Sequence, residues 1–123
     1  MITVVVADDD PGVRADFATL LGLEEDLDVV AVAADGEEAV WTAGDLRPDV
    51  VVIDVRMPRT DGIAATRHVL AVPGTRTRVL VLTTFDLDDY VLRVVRGRRD
   101  GFLLKEQAPE GLAAAVRPSP PAR

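Results

Sequence analysis

Cysteine is absent from the 123 residues, so no disulfide framework, thiolate metal site or thiol nucleophile is available. Histidine occurs once, at His68, which excludes a histidine cluster; His68 also lacks an acidic neighbour and is expected to be an exposed helix residue. Positive charge is in deficit. Fourteen Lys and Arg stand against 21 Asp and Glu, and the net charge of −7 would repel nucleic-acid phosphates from the general surface. Aromatics make up only 4%, and no basic, aromatic-rich patch suggests nucleic-acid binding. Trp41 and Tyr90 fall at helical positions and are expected to be partial core or interface. No apolar run is long enough to cross a bilayer, and the amino terminus MITVVVADDD has no basic lead. The expectation is a cytoplasmic protein without membrane contact.

What is present fits one globular domain: 48% of the chain is hydrophobic and 28% charged. Apolar, β-rich runs recur at Ile2 to Ala7, Val29 to Ala33, Val50 to Ile53 and Val79 to Leu82, with a shorter one at Phe102 to Leu104. Their continuous rather than alternating apolarity predicts strands buried on both faces, as in a parallel sheet. Between them lie helical spacings: Val13, Phe17, Leu20 and Leu21; Ala39, Val40 and Ala43; Ile63, Ala64, Arg67 and Leu70; Tyr90, Val91, Val94 and Val95. Pro11 suits a first helical turn, Asp35 and Asp61 suit helix starts, and Pro48 and Pro73 lie just beyond helix ends. The fold class predicted is α/β, a (βα)5 doubly wound sheet with helices on both faces.

In an open parallel sheet, ligands bind beyond the carboxyl ends of the strands, so residues that follow the apolar runs converge on one crevice. Those residues are Asp8, Asp9 and Asp10 after the first run, Asp54 after the third, Thr83 and Thr84 after the fourth, and Lys105 after the fifth. Clustered carboxylates repel one another unless a cation neutralises them, and Mg²⁺ is the natural hard divalent candidate. Mg²⁺ takes few protein carboxylates and commonly bridges to phosphate, which points to phosphoryl chemistry. A carboxylate such as Asp54 can attack phosphorus to give an aspartyl phosphate, with Lys105 as the neighbouring ammonium and Thr83 as a hydroxyl donor. Taken singly, Asp8, Asp10 or Asp54 could be a helix cap, Lys105 a solvated charge and Thr83 an ordinary strand residue. Their order along the chain separates the two readings.

The segments V-V-A-D-D, V-V-I-D-V-R-M-P-R-T-D-G, V-L-T-T-F and G-F-L-L-K-E together resemble the CheY-like receiver domain of two-component response regulators, of the NarL/FixJ (LuxR-type) family. The resemblance covers about residues 2 to 117. It implies a flavodoxin-like sheet of strand order 2-1-3-4-5 and phosphorylation of Asp54. It also implies Mg²⁺ held by Asp9, Asp54 and the backbone carbonyl of Arg56, with Asp8 acting through water. Thr83 would turn toward the phosphoryl group, Lys105 would pair with it, and Phe102 would follow Thr83 inward. Pro58 and Gly62 would shape the loop after Asp54. The donor implied is a sensor histidine kinase, the output transcription regulation, and a homodimer on phosphorylation is possible. The domain expected is 1–117, with 118–123 a tail or the start of a linker and no DNA-binding domain. Such a chain is not a conventional enzyme. A phosphatase that forms an aspartyl phosphate would need a second Asp two residues after the nucleophile, where this chain has Arg56.

The sequence departs from the resemblance in two places. The usual small-residue turn before the last strand reads Gly97, Arg98, Arg99, Asp100, Gly101, which predicts a reshaped corner; with Arg93 and Arg96 alongside, the arginines read first as a solvated charged face and second as an altered partner surface. The last helix, from about Pro109 to Arg117, is short. A competing reading is therefore a pseudo-receiver or stand-alone interaction module whose partners do not depend on phosphorylation.

Overall fold

The computed structural model describes residues 1–57, 59, 61–83 and 101–117. Pro58, Thr84, the segment containing Tyr90 to Val95, the corner from Gly97 to Asp100, and the tail 118–123 lie outside the described residues.

Five strands form one parallel sheet: β1 (Ile2–Ala7), β2 (Leu27–Ala33), β3 (Val50–Asp54), β4 (Arg78–Thr83) and β5 (Gly101–Leu104). Their order is β2-β1-β3-β4-β5. The described helices are α1 (Pro11–Gly22), α2 (Gly36–Leu46), α3 (Gly62–Leu70) and α4 (Ala108–Val116), the last preceded by a 3-10 turn at Lys105–Gln107.

Helix starts follow from local chemistry. Asp10 accepts from the N–H groups of Gly12 and Val13 with Pro11 in the first turn, Asp35 accepts from Glu38, and Asp61 from Ala64, each satisfying N–H groups that have no partner within the helix.

The sheet divides the core in two. Val4, Val6, Val52 and Leu82 pack with Phe17 and Leu21 of α1 and Leu112 and Val116 of α4. Val5, Val51, Ile53 and Val81 pack on the other side with Ala39 and Ala43 of α2 and Ala65 and Val69 of α3. β1 and β3 thus alternate between two apolar faces, which is why their sequences are apolar without a break. Burying one such Val or Leu side chain fully contributes about 1.5–3 kcal/mol.

Two elements differ from the sequence expectation. β2 is an edge strand with Val30 and Val32 exposed, not a strand buried on both faces. Val4 pairs with Val29 and Val5 with Ala31, so Val30 is an extra, bulged residue. That insertion lets Val29 face the α1 side and Ala31 the α2 side, an apolar run produced by a bulge.

In α3 the buried positions are Gly62, Ala65, Thr66 and Val69, whereas Ile63 and Leu70 are partly buried and Arg67 is exposed. Close approach of Gly62 to β3 sets that face, and the Thr66 hydroxyl is satisfied by donating to the Gly62 carbonyl. Trp41 projects from α2 with 78% of its surface exposed and is not part of the core, while His68 is exposed as expected.

Candidate functional site

The carboxyl ends of β1, β3, β4 and β5 bring together Asp8, Asp54, Thr83 and Lys105. Asp8 follows β1 and is completely buried; its N–H donates to the Ala33 carbonyl, and its Oδ1 accepts from the Asp10 N–H at 2.9 Å. Asp9 is exposed beside it. Asp10 turns away to cap α1, so the capping explanation holds for this acid.

Asp54, the last residue of β3, is buried, and its Oδ1 accepts from the Arg56 N–H at 3.3 Å. Thr83 is buried at the last position of β4, in register with Leu104. Lys105 follows β5 directly. Its Nζ donates to Asp54 Oδ2 at 3.1 Å and lies 3.4 Å from Asp8 Oδ2.

Charge in the crevice is unbalanced. Carboxylate oxygens of Asp8, Asp9 and Asp54 lie within 4.8 Å of one another. Asp8 Oδ2 feels the Lys105 ammonium but makes no hydrogen bond, leaving a buried acceptor without a partner. Burial, followed by repulsion from Asp54, raises the Asp8 pKa although the Asp10 N–H and Lys105 oppose the rise. For Lys105, burial works against the charge, but the hydrogen bond and Coulomb attraction of Asp54, then Asp8, outweigh it and raise its pKa. Three hard oxygen donors, one of them buried and unpartnered, suit a divalent cation with a preference for oxygen.

The backbone around Asp54 is equally constrained. A Cβ on Gly62 would lie 2.1 Å from the Asp54 carbonyl oxygen, and the Gly62 N–H donates to the Val55 carbonyl at 2.9 Å. Only glycine allows α3 to start this close to the end of β3.

Phe102 sits on edge strand β5 with 41% of its surface exposed. Alternation along β5 assigns Leu103 to the α1/α4 core and Phe102 to the opposite face, so Phe102 is outward here while Thr83 is buried. Pro58 lies outside the described residues.

Two arginines were not found by sequence reasoning. Arg14, one turn into α1, donates to the Asp8 carbonyl at 2.9 Å and fixes the acidic turn. Arg59 adopts a left-handed φ of 62° and lies 3.7 Å from both Asp35 and Glu37, linking the loop after Asp54 to the start of α2. The spacing of Arg14 from Asp10, a single helical turn, was the only available sign of the first; nothing in the sequence marked the second.

The sequence family described as "Response regulator receiver domain" matches residues 4–117. The chain belongs to that family. Among curated relatives, this receiver domain is 39% identical over 117 residues to the uncharacterized transcriptional regulatory protein YxjL of Bacillus subtilis, covering 94% of this chain and 53% of the relative. It is 39% identical over 115 residues to the oxygen regulatory protein NreC of Staphylococcus epidermidis, covering 93% and 52%. The signal receiver domain of the response regulator NarL from Mycobacterium tuberculosis superposes with a TM-score of 0.84 at 33% identity, covering 94% of this chain and 92% of that one. The receiver domain is thus of the NarL/LuxR type, and it spans about half the length of the curated relatives it matches. Receiver domains bind Mg²⁺ at an acidic pocket, work with sensor kinases and are generally not conventional enzymes; this chain has a cluster of Asp8, Asp9 and Asp54. Among the described residues, no helix is long and apolar enough to cross a membrane.

Proposed function

We propose that this receiver domain, residues 1–117, takes a phosphoryl group from a sensor histidine kinase onto Asp54 and acts as a cytoplasmic switch for a transcription-regulator output. The observation that carries the reading is the sharing of Lys105 between Asp54 and Asp8, whose buried Oδ2 has the ammonium at 3.4 Å but no hydrogen bond. An Asp54 carboxylate oxygen forms the new bond to phosphorus, and the bond from phosphorus to the donor imidazole nitrogen breaks with its electron pair returning to the ring.

Asp9, Asp54 and the Arg56 carbonyl would hold Mg²⁺, with Asp8 acting through water; when bound, the ion supplies positive charge for the transferring oxygens. Lys105 stays protonated, exchanging part of its contact with Asp54 for the phosphoryl oxygens. Thr83 lies at the end of the neighbouring strand, from which its hydroxyl would turn to donate to the same group. The outward Phe102 is then one of two positions, and phosphorylation shifts the population toward the inward one. Such a shift could favour a homodimer. The acidic surface leaves DNA contact to other parts of a full-length regulator.

Incubation with acetyl phosphate and Mg²⁺, followed by intact mass measurement, tests this. Addition of one phosphoryl group is expected in the wild type and none in Asp54→Asn or after chelation. A wild type that gains no mass with Mg²⁺ present would overturn the reading.

A further inference from the structure

A second candidate site lies at the opposite end of the sheet from Asp54. A groove of about 470 Å³ opens between the carboxyl ends of α2 and α3, beside the residues that lead into β3 and β4. Its apolar floor includes Val40, Val69 and half-exposed Val72. Its polar ring and charged groups are the His68 imidazole, the guanidiniums of Arg47 and Arg76, and the Asp49 carboxylate.

The acid is already engaged, since Asp49 Oδ2 accepts from both the N–H and the hydroxyl of Thr3. The bases are not: among the described residues, the side chains of Arg47, His68 and Arg76 have no hydrogen-bond or ion-pair partner. In a chain of net charge −7, two guanidiniums and an imidazole on one groove form a local basic patch.

Arg47 adds a conformational argument. It caps α2 in the left-handed region, φ 47°, with its N–H bonded to the Ala43 carbonyl. Glycine takes this cap position without strain and arginine does not, so the guanidinium is presented despite a backbone cost. A cation near a helix carboxyl end is also favoured by the helix dipole, which is the competing explanation for Arg47. The dipole does not account for Arg76, which lies on the loop before β4. Nor does it account for the apolar floor.

We infer that this groove binds a phosphorylated small molecule of mononucleotide size, with Arg47 and Arg76 on the phosphate and a flat ring on the valine floor. Guanidiniums match phosphate oxygens in pairs, and the volume falls within the range of small-molecule sites. The Thr75 hydroxyl accepts from the Thr77 N–H at 3.2 Å and keeps its own proton for a phosphate oxygen. The inference is independent of phosphorylation at Asp54.

Amide NMR titration of the metal-free protein at low ionic strength tests it, with AMP, ADP, adenosine and inorganic phosphate as probes. Leaving out Mg²⁺ removes the acidic cluster as an alternative nucleotide site. AMP and ADP are expected to give saturable shifts at Arg47, His68, Val72 and Arg76. Adenosine should give none, and inorganic phosphate should bind roughly tenfold more weakly than AMP.

Arg47→Gly keeps the left-handed cap, so its melting temperature should not fall, yet both it and Arg76→Ser should weaken AMP roughly tenfold. Absence of saturable shifts in the groove would overturn the inference, as would AMP binding untouched by both substitutions. Inorganic phosphate binding as tightly as AMP would overturn recognition of the ring. A drop in stability for Arg47→Gly without any nucleotide binding would leave Arg47 as a helix cap only and equally overturn the site.

Discussion

Lys105 holds its ammonium 3.1 Å from Asp54 and 3.4 Å from Asp8, so one cation is shared by two buried carboxylates. Removing it leaves the acids facing each other and takes a charge from the transferring phosphoryl group. Lys105→Met is therefore expected to slow phosphorylation by acetyl phosphate by about 100-fold, the usual loss when one preorganised donor is deleted. Rates followed by intact mass at saturating Mg²⁺ check this, and an unchanged rate would remove Lys105 from the proposed chemistry.

Asp8 gives a prediction of opposite sign for stability. A buried charged oxygen without a hydrogen bond costs about 1–3 kcal/mol, and Asn keeps the Oδ1 that accepts from Asp10. Without metal at neutral pH, Asp8→Asn should be more stable than the wild type by that order. Mg²⁺ should stabilise the wild type, by about 2.7 kcal/mol at a hundred times its dissociation constant, and the variant much less.

The pH dependence follows from the raised Asp8 pKa. The native state binds this proton more tightly than the unfolded chain, whose value is near 3.8. The penalty is absent below 3.8, grows as pH rises toward the native value, and is constant above it. The stability difference between Asp8→Asn and wild type, measured by denaturant unfolding in chelator, should widen across that window as pH increases.

Gly62 tests the backbone of the site. A methyl group there would overlap the Asp54 carbonyl, so α3 must move away from β3. Gly62→Ala is expected to destabilise by about 3 kcal/mol, the upper end for overpacking, and to weaken Mg²⁺ binding through displacement of Asp54. Chemical denaturation and Mg²⁺ titration of the same variant check both effects.

The sheet and its acidic crevice were legible in the sequence because both follow from simple rules. Strands β1 and β3 are apolar on both faces, and the residues just after β1, β3, β4 and β5 must meet at one end of the sheet. The strand order came from the resemblance.

What was not legible depended on single geometric events. The bulge at Val30 turns an edge strand into an apolar run that imitates a buried one. In α3 a glycine, an alanine and a threonine form most of the inner face, so the larger Ile63 and Leu70 misplaced the stripe. Arg14 and Arg59 act through contacts with a backbone carbonyl and with acids at the start of α2, which spacing alone does not encode. Phe102 shows the same limit: its register with Lys105 was clear, but its outward side chain was not.

The central claim is that Asp54, among three neighbouring acids, receives the phosphoryl group. Acetyl phosphate and Mg²⁺ followed by borohydride reduction, which converts an aspartyl phosphate to homoserine, and tandem mass spectrometry of the peptides spanning Met1 to Arg14 and Val50 to Arg56 test it directly. Homoserine at position 54, absent after chelation and absent in Asp54→Asn, is the result predicted. Homoserine at Asp8 or Asp9, or a wild type in which position 54 stays aspartate, would contradict it.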